Sequence, residues 1–92
     1  MSKEKLLDMT EDEQVDWLWD MDILKPNESL ADLAFRLRDE AVNHQGWGEA
    51  IKDVCDYWQG KNNTGITLSG FWIHRAKPIH WIIAALIALE KS

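Results

Sequence analysis

Pro78-Ile79-His80-Trp81-Ile82-Ile83-Ala84-Ala85-Leu86-Ile87-Ala88-Leu89-Glu90 is the segment on which the fold turns. Pro78 suits the first turn of a helix, where a missing amide costs nothing. After it, apolar residues separated only by alanines leave almost no polar face. The apolar run from Trp81 to Leu89 is about half of the roughly 20 residues that span a bilayer, so it reads as a core helix rather than an anchor. Such a helix must be covered by protein on most sides. Either the other helices wrap around it, or one of its faces makes a subunit interface. The expectation is an all-α fold, a compact bundle of four to five short helices around an apolar C-terminal helix, forming a single domain over residues 1–92. Trp81, Ile83 and Ile87 are the candidates for an oligomer interface, which would make the protein a homodimer.

The segments that would cover this helix are legible from their ends and their spacing. Thr10-Glu11-Asp12-Glu13 is a capping box: the Thr10 hydroxyl accepts from the Glu13 amide, Glu13 reaches back, and acids in the first turn suit the helix dipole. A helix is predicted from Glu11 to Asp22, preceded by a short helical turn over Lys3 to Met9 that rests Leu6 and Leu7 on the core. Pro26 interrupts the pattern. Ser29 or Asn27 then caps a helix whose apolar positions Leu30, Leu33, Ala34, Leu37 and Ala41 keep three-four spacing and which ends near Asn43. Asp32 and Arg36 on its outer face stand four apart, in the favourable order for an ion pair. Trp47, Ala50, Ile51, Val54, Cys55 and Trp58 predict a further helix over Gly48 to Trp58, ending before Gly60. Lys61 to Gly65 reads as exposed loop and Ile66 to Ser69 as loop, since no second strand exists to pair with them. Gly70 to Ala76 fits a short helix or an extended approach.

Composition narrows the function classes. The chain has 92 residues, 46% hydrophobic and 28% charged, with six tryptophans that supply a large buried area without disulfide or metal staples. Its net charge of −6 is carried by the first half: residues 1–46 hold 12 acidic against 5 basic side chains, residues 47–92 hold 4 against 5. Nucleic-acid binders depend on Lys and Arg to release counterions, so no direct nucleic-acid partner is expected. One cysteine excludes an internal disulfide and a CxxC zinc site, and the N-terminus carries no secretory pattern; a reducing cytoplasm is the expected location. No membrane partner and no cofactor are expected.

No enzyme active site is expected either. Cys55 lies on an apolar helical stripe and reads as a small buried hydrophobe. His74 and His80, six apart, lack the i, i+4 placement that puts two imidazoles on one helical face, so no metal site is assigned. His44 reads as a solvated helix end, Asp53 and Asp56 as a solvated face, and Gly46-Trp47-Gly48 as a helix boundary rather than a phosphate loop.

Asp12, Asp16 and Asp20 stand at i, i+4 and i+8 with no cation on their helix to relieve them, and like charges at that spacing oppose one another. Val15, Leu18 and Trp19 make the inward stripe, which leaves Trp17 and Met21 on a neighbouring flank. An exposed Trp17 rimmed by acids has the make-up of an interaction hot spot, with Glu13 beside it. The alternative is that Trp17 packs under the first turn or the C-terminal helix and the acids serve solubility.

The string Ala76-Lys77-Pro78-Ile79-His80-Trp81-Ile82-Ile83-Ala84-Ala85-Leu86 resembles the endings of small phage and prophage proteins, over about the last fifteen residues. The resemblance implies a stoichiometric binding protein in a host cytoplasm, one that inhibits a host defence or nucleic-acid-processing complex by presenting carboxylates where the target expects phosphates. The partner would be a host protein with a basic surface, met by Asp12, Asp16, Asp20, Trp17 and Glu13. The rival expectation is an accessory homo-oligomer built through the C-terminal helix.

Overall fold

The computed structural model describes residues 3–90 and contains no strand among them. The helices are α1 (Lys3–Asp8), α2 (Glu11–Asp20), α3 (Leu30–Ala41), α4 (Trp47–Asn62), a short α5 (Leu68–Gly70) that continues into a π-helical turn (Phe71–Arg75), and α6 (Pro78–Glu90). The all-α expectation holds: among the described residues, α1, α2, α3 and α4 pack around an apolar α6. α3 and α4 form the main walls against α6, and α1 and α2 close smaller parts of it. Ile79, Ile82, Ile83, Ala84, Ala85, Ile87 and Ala88 of α6 are all buried in one contiguous core with Leu6, Leu7, Leu18, Leu33, Leu37, Val54 and Phe71. None of the described helices is long and apolar enough to cross a membrane.

This burial corrects the interface candidates. Ile83 and Ile87 are 2% and 1% exposed within the single chain, because α3 and α4 already occupy the faces that a second subunit would need. Only Trp81 keeps partial access to the surface.

Several ends are set by tertiary contacts rather than by local sequence. The capping box is formed: Thr10 Oγ1 accepts from the Glu13 amide at 3.2 Å and Glu13 Oε1 from the Thr10 amide at 2.9 Å. That bond from the Thr10 backbone holds the Glu13 carboxyl below its ordinary value. α2 stops at Asp20 instead of Asp22, because Asp22 turns left-handed (φ 60°) and the Ile23 and Leu24 amides fold back onto the Leu18 carbonyl. Ser29, not Asn27, caps α3, and the helix ends at Ala41. Arg36 forks onto both carboxylate oxygens of Glu28 at 3.1 Å instead of pairing with Asp32, since Glu28 offers a bidentate geometry that a single turn of helix does not.

α4 runs through Gly60 to Asn62, beyond the predicted end, and stops where Asn63 adopts a left-handed φ of 52°. The cost of a helical glycine, about 1 kcal/mol, is offset by what the extra turn places: Lys61 Nζ donates to the carbonyls of Leu7 (2.6 Å) and Met9 (3.2 Å). Gln14, buried, donates to the Leu6 carbonyl at 2.9 Å. These two side chains satisfy the Leu6 and Leu7 carbonyls among those that the C-terminal end of α1 leaves open, and Lys3 ties the same helix to Asp53 of α4 at 3.0 Å. Asp53 is therefore an ion-pair partner, not part of a solvated face.

Within the segment 66–76, Leu68 to Arg75 are helical, while Ile66 and Thr67 remain loop as expected. Thr67 Oγ1 accepts from the Gly70 amide at 3.0 Å, so Thr67 starts α5 inside the stretch read as loop. Space around Gly70 is tight: a Cβ there would stand 3.0 Å from Thr67 Oγ1 and 3.1 Å from Ile66 Cγ1, so those side chains would have to give by a few tenths of an ångström. The π turn closes with the Ala76 amide on the Phe71 carbonyl at 2.8 Å. It turns Phe71 wholly inward and Trp72 onto α6. Trp72 meets Trp81 at 4.3 Å between ring centroids, Trp81 stacks on Trp47 at 6.1 Å, and Phe71 meets Trp58 at 5.1 Å. Four of the six tryptophans thus form one aromatic seam along α6.

Candidate partner-binding surface

The capping box fixes the start of α2, and the burial of Gln14 and Leu18 fixes its rotation. Asp12, Asp16 and Asp20 consequently face solvent as one row, successive carboxylates about 6 Å apart along the axis at 1.5 Å rise per residue. None of the three takes part in an ion pair among the described residues. Glu13 is exposed beside them, with one carboxylate oxygen committed to the Thr10 cap.

The structure reverses the two tryptophans. Trp17 is half-buried against the core, as the alternative sequence reading had it, and Trp19 is 45% exposed. The inward line of α2 is Gln14 and Leu18, because the Gln14 amide is drawn in by the Leu6 carbonyl; that rotates Trp19 outward. Trp19 follows Asp16 by three residues and Asp12 by seven, spacings that put all three on one flank. Met21, just beyond the helix, is also exposed. The acid-rimmed aromatic exists, built on a different residue from the expected one. A sequence signal for it was the buried-polar role of Gln14, which is visible only once α1 is known to end against it.

A second surface lies over α3 and the start of α6. Phe35 is 60% exposed beside a groove of about 180 Å³ lined by Ala31, Ala34, Arg38, Ala76, Pro78 and Trp81. The Arg38 guanidinium lies over both Phe35 (5.2 Å) and Trp81 (5.5 Å).

Among the groups with acid-base chemistry, Cys55 is buried and its Sγ accepts from Gln59 Nε2 at 3.2 Å. No cluster of three or more metal-ligating side chains occurs among the described residues. His80 occupies the third position of α6, and its Nδ1 accepts from the Lys77 amide at 2.8 Å, the role an N3 carboxylate plays in a capping box. That bond places the ring proton on Nε2. Burial pushes the imidazole below its ordinary value; Glu11 opposes the shift, while Lys77 and Lys61 add to it. The unfolded chain takes up a proton as pH falls past about 6.5, whereas the folded chain resists until lower pH. Stability from His80 is complete above that value and is lost as pH falls from it toward the folded pKa. Melting curves between about pH 5 and 7.5 should show this loss, and His80→Gln, whose amide oxygen can keep the Lys77 cap, should flatten it. Equal slopes for the two proteins would remove His80 as the cause.

No protein-family model matches the chain, and no curated protein or solved structure matches it either.

Proposed function

We propose that the chain is a protein-binding domain that docks the exposed face of α2 on a basic surface of a larger partner. The observation that carries this reading is the row of Asp12, Asp16 and Asp20, in ion pairs with no cation among the described residues and flanked by the exposed Trp19. Like charges at helical spacing cost a few tenths of a kcal/mol per pair, a cost that a basic partner converts into attraction. Trp19 supplies the large, rigid apolar contact that binding hot spots favour. A surface that accepts regularly spaced carboxylates is commonly one that accepts phosphates, so the reading extends to occupation of a nucleic-acid-binding surface on a host complex, the role that the phage-protein resemblance of residues 76–86 implies.

The test is capture from bacterial lysate on the immobilised domain, at about 0.1 M and 1 M salt, between which the screening length falls from about 10 Å to about 3 Å. The expected result is one host protein retained at low salt, released at high salt and by competing duplex DNA, and not retained by the triple Asp12→Asn, Asp16→Asn, Asp20→Asn variant. Trp19→Ala should weaken that complex about 30-fold, the effect of a hot spot of about 2 kcal/mol. Retention that is equal for wild type and triple variant would overturn the reading.

A further inference from the structure

A cavity of about 520 Å³ opens on the side of the molecule where the α1–α2 junction, the C-terminal end of α4, the π turn and the start of α6 converge. Its volume lies within the range of small-molecule sites, about 300–1,000 Å³. The floor is apolar and aromatic, from Leu7, Val54, Tyr57, Trp58 and Ile83, and the rim is polar. In a chain of net charge −6, this one cavity gathers Lys61, Arg75, Lys77, His74 and His80 against only Asp8 and Glu11.

The hydrogen-bond state of those groups decides what they can receive. His80 Nδ1 is spent on the Lys77 amide, which leaves Nε2–H as a donor; Glu11 Oε1 stands 3.8 Å from it, beyond hydrogen-bond reach. Arg75 is exposed, and its side chain makes no ion pair or hydrogen bond among the described residues. Lys61 is held in place by two backbone carbonyls and retains one of its three N–H donors. Lys77 reaches Glu11 at 3.4 Å, a long contact at the cavity mouth. The cavity is therefore rich in donors, with the Arg75 guanidinium, the His80 Nε2–H and one Lys61 N–H unengaged, and its cationic guanidinium offers the planar fork that matches a carboxylate or a phosphate.

We infer that this cavity is a binding site for a small molecule that carries an oxyanion, carboxylate or phosphate, on an apolar or aromatic body. The oxyanion meets Arg75 and the His80 Nε2–H, and the body rests on Trp58 and Tyr57. The site is separate from the acidic face of α2 and does not depend on the partner-binding reading; its failure would leave that reading untouched.

The experiment is an NMR titration of the full chain with four probes: inorganic phosphate, phenyl phosphate, benzoate and phenol. Phenyl phosphate or benzoate should shift the amide and indole signals of residues 57–62 and 74–80 selectively. That probe should bind more tightly than inorganic phosphate, which lacks the apolar body, and than phenol, which lacks the charge. The stronger of the two identifies the oxyanion. Arg75→Gln, at an exposed and unpartnered position, should keep the wild-type melting temperature and weaken binding about tenfold, the effect of one charge-assisted hydrogen bond. Absence of localised shifts with both anionic aromatics, or equal binding by Arg75→Gln, would overturn the inference. Equal affinity for phenol would overturn it as well.

Discussion

Phe71→Ala is expected to destabilise the domain by about 3–5 kcal/mol, read as a fall in melting temperature of about 12–40 °C for a chain of this size. Phe71 is 0% exposed and stands in ring contact with Trp58, Trp72 and His80 at 5.1, 4.9 and 5.3 Å. It is the joint of the aromatic seam, so removing it leaves a void bounded by large, rigid rings that cannot collapse into it. Total stability for a domain of this length is about 5–14 kcal/mol, and the loss is a large part of it. Phe71→Leu separates two causes: it retains most of the buried area and forfeits only the aromatic contacts, about 0.5–1.5 kcal/mol each. Urea unfolding followed by circular dichroism measures both variants. A loss below about 1 kcal/mol for the alanine variant, outside the range for a buried Phe, would mean that the π turn does not hold Phe71 where it is seen.

Ile83→Asp is expected to leave no folded protein at any concentration. The side chain is 2% exposed on the face of α6 covered by its own chain, at the floor of the cavity, and a carboxylate there would lose most of its hydration. The penalty, several kcal/mol, is comparable with the whole stability. Phe35→Asp is the matched control: the same new charge at a position 60% exposed should change stability by no more than about 0.5 kcal/mol. Were Ile83 an intersubunit contact, the wild-type melting temperature would rise with protein concentration and the aspartate variant would be a folded monomer. Melting curves over about a hundredfold range of concentration, with mass in solution, distinguish the two. A folded, monomeric Ile83→Asp would restore the oligomer expectation.

How much of this was legible in the sequence depends on the distance over which each feature is decided. The cap at Thr10 and the start of α6 at Pro78 are written within four residues and were readable as they stand, while the cap of α3 was narrowed to Ser29 or Asn27. Features decided by remote groups were misread. Gly60 looks like a helix stop until Lys61 is seen to reach the carbonyls of α1, more than fifty residues earlier. Asp32 looks like the partner of Arg36 until the chain before α3 brings Glu28 into bidentate range. On α2 the periodicity reads Trp19 as inward and Trp17 as exposed, the reverse of what the structure shows. A single buried amide, Gln14 on Leu6, shifts the inward direction of the helix and exchanges Trp17 for Trp19.

The donor-rich cavity was beyond sequence reasoning for the same reason. Its lining comes from five segments, and the π turn that orients Arg75 and His74 has no local signature. The sequence by itself determined the class of fold, the central place of residues 78–90 and the acidic row on α2. Those follow from hydrophobic periodicity and capping chemistry, which act between near neighbours. Only the tertiary structure decided that α6 is enclosed within one chain, that Trp19 is the exposed aromatic, and that cations from α4, the π turn and α6 share a cavity. Those outcomes depend on how helices rotate to satisfy buried polar groups contributed by distant parts of the chain.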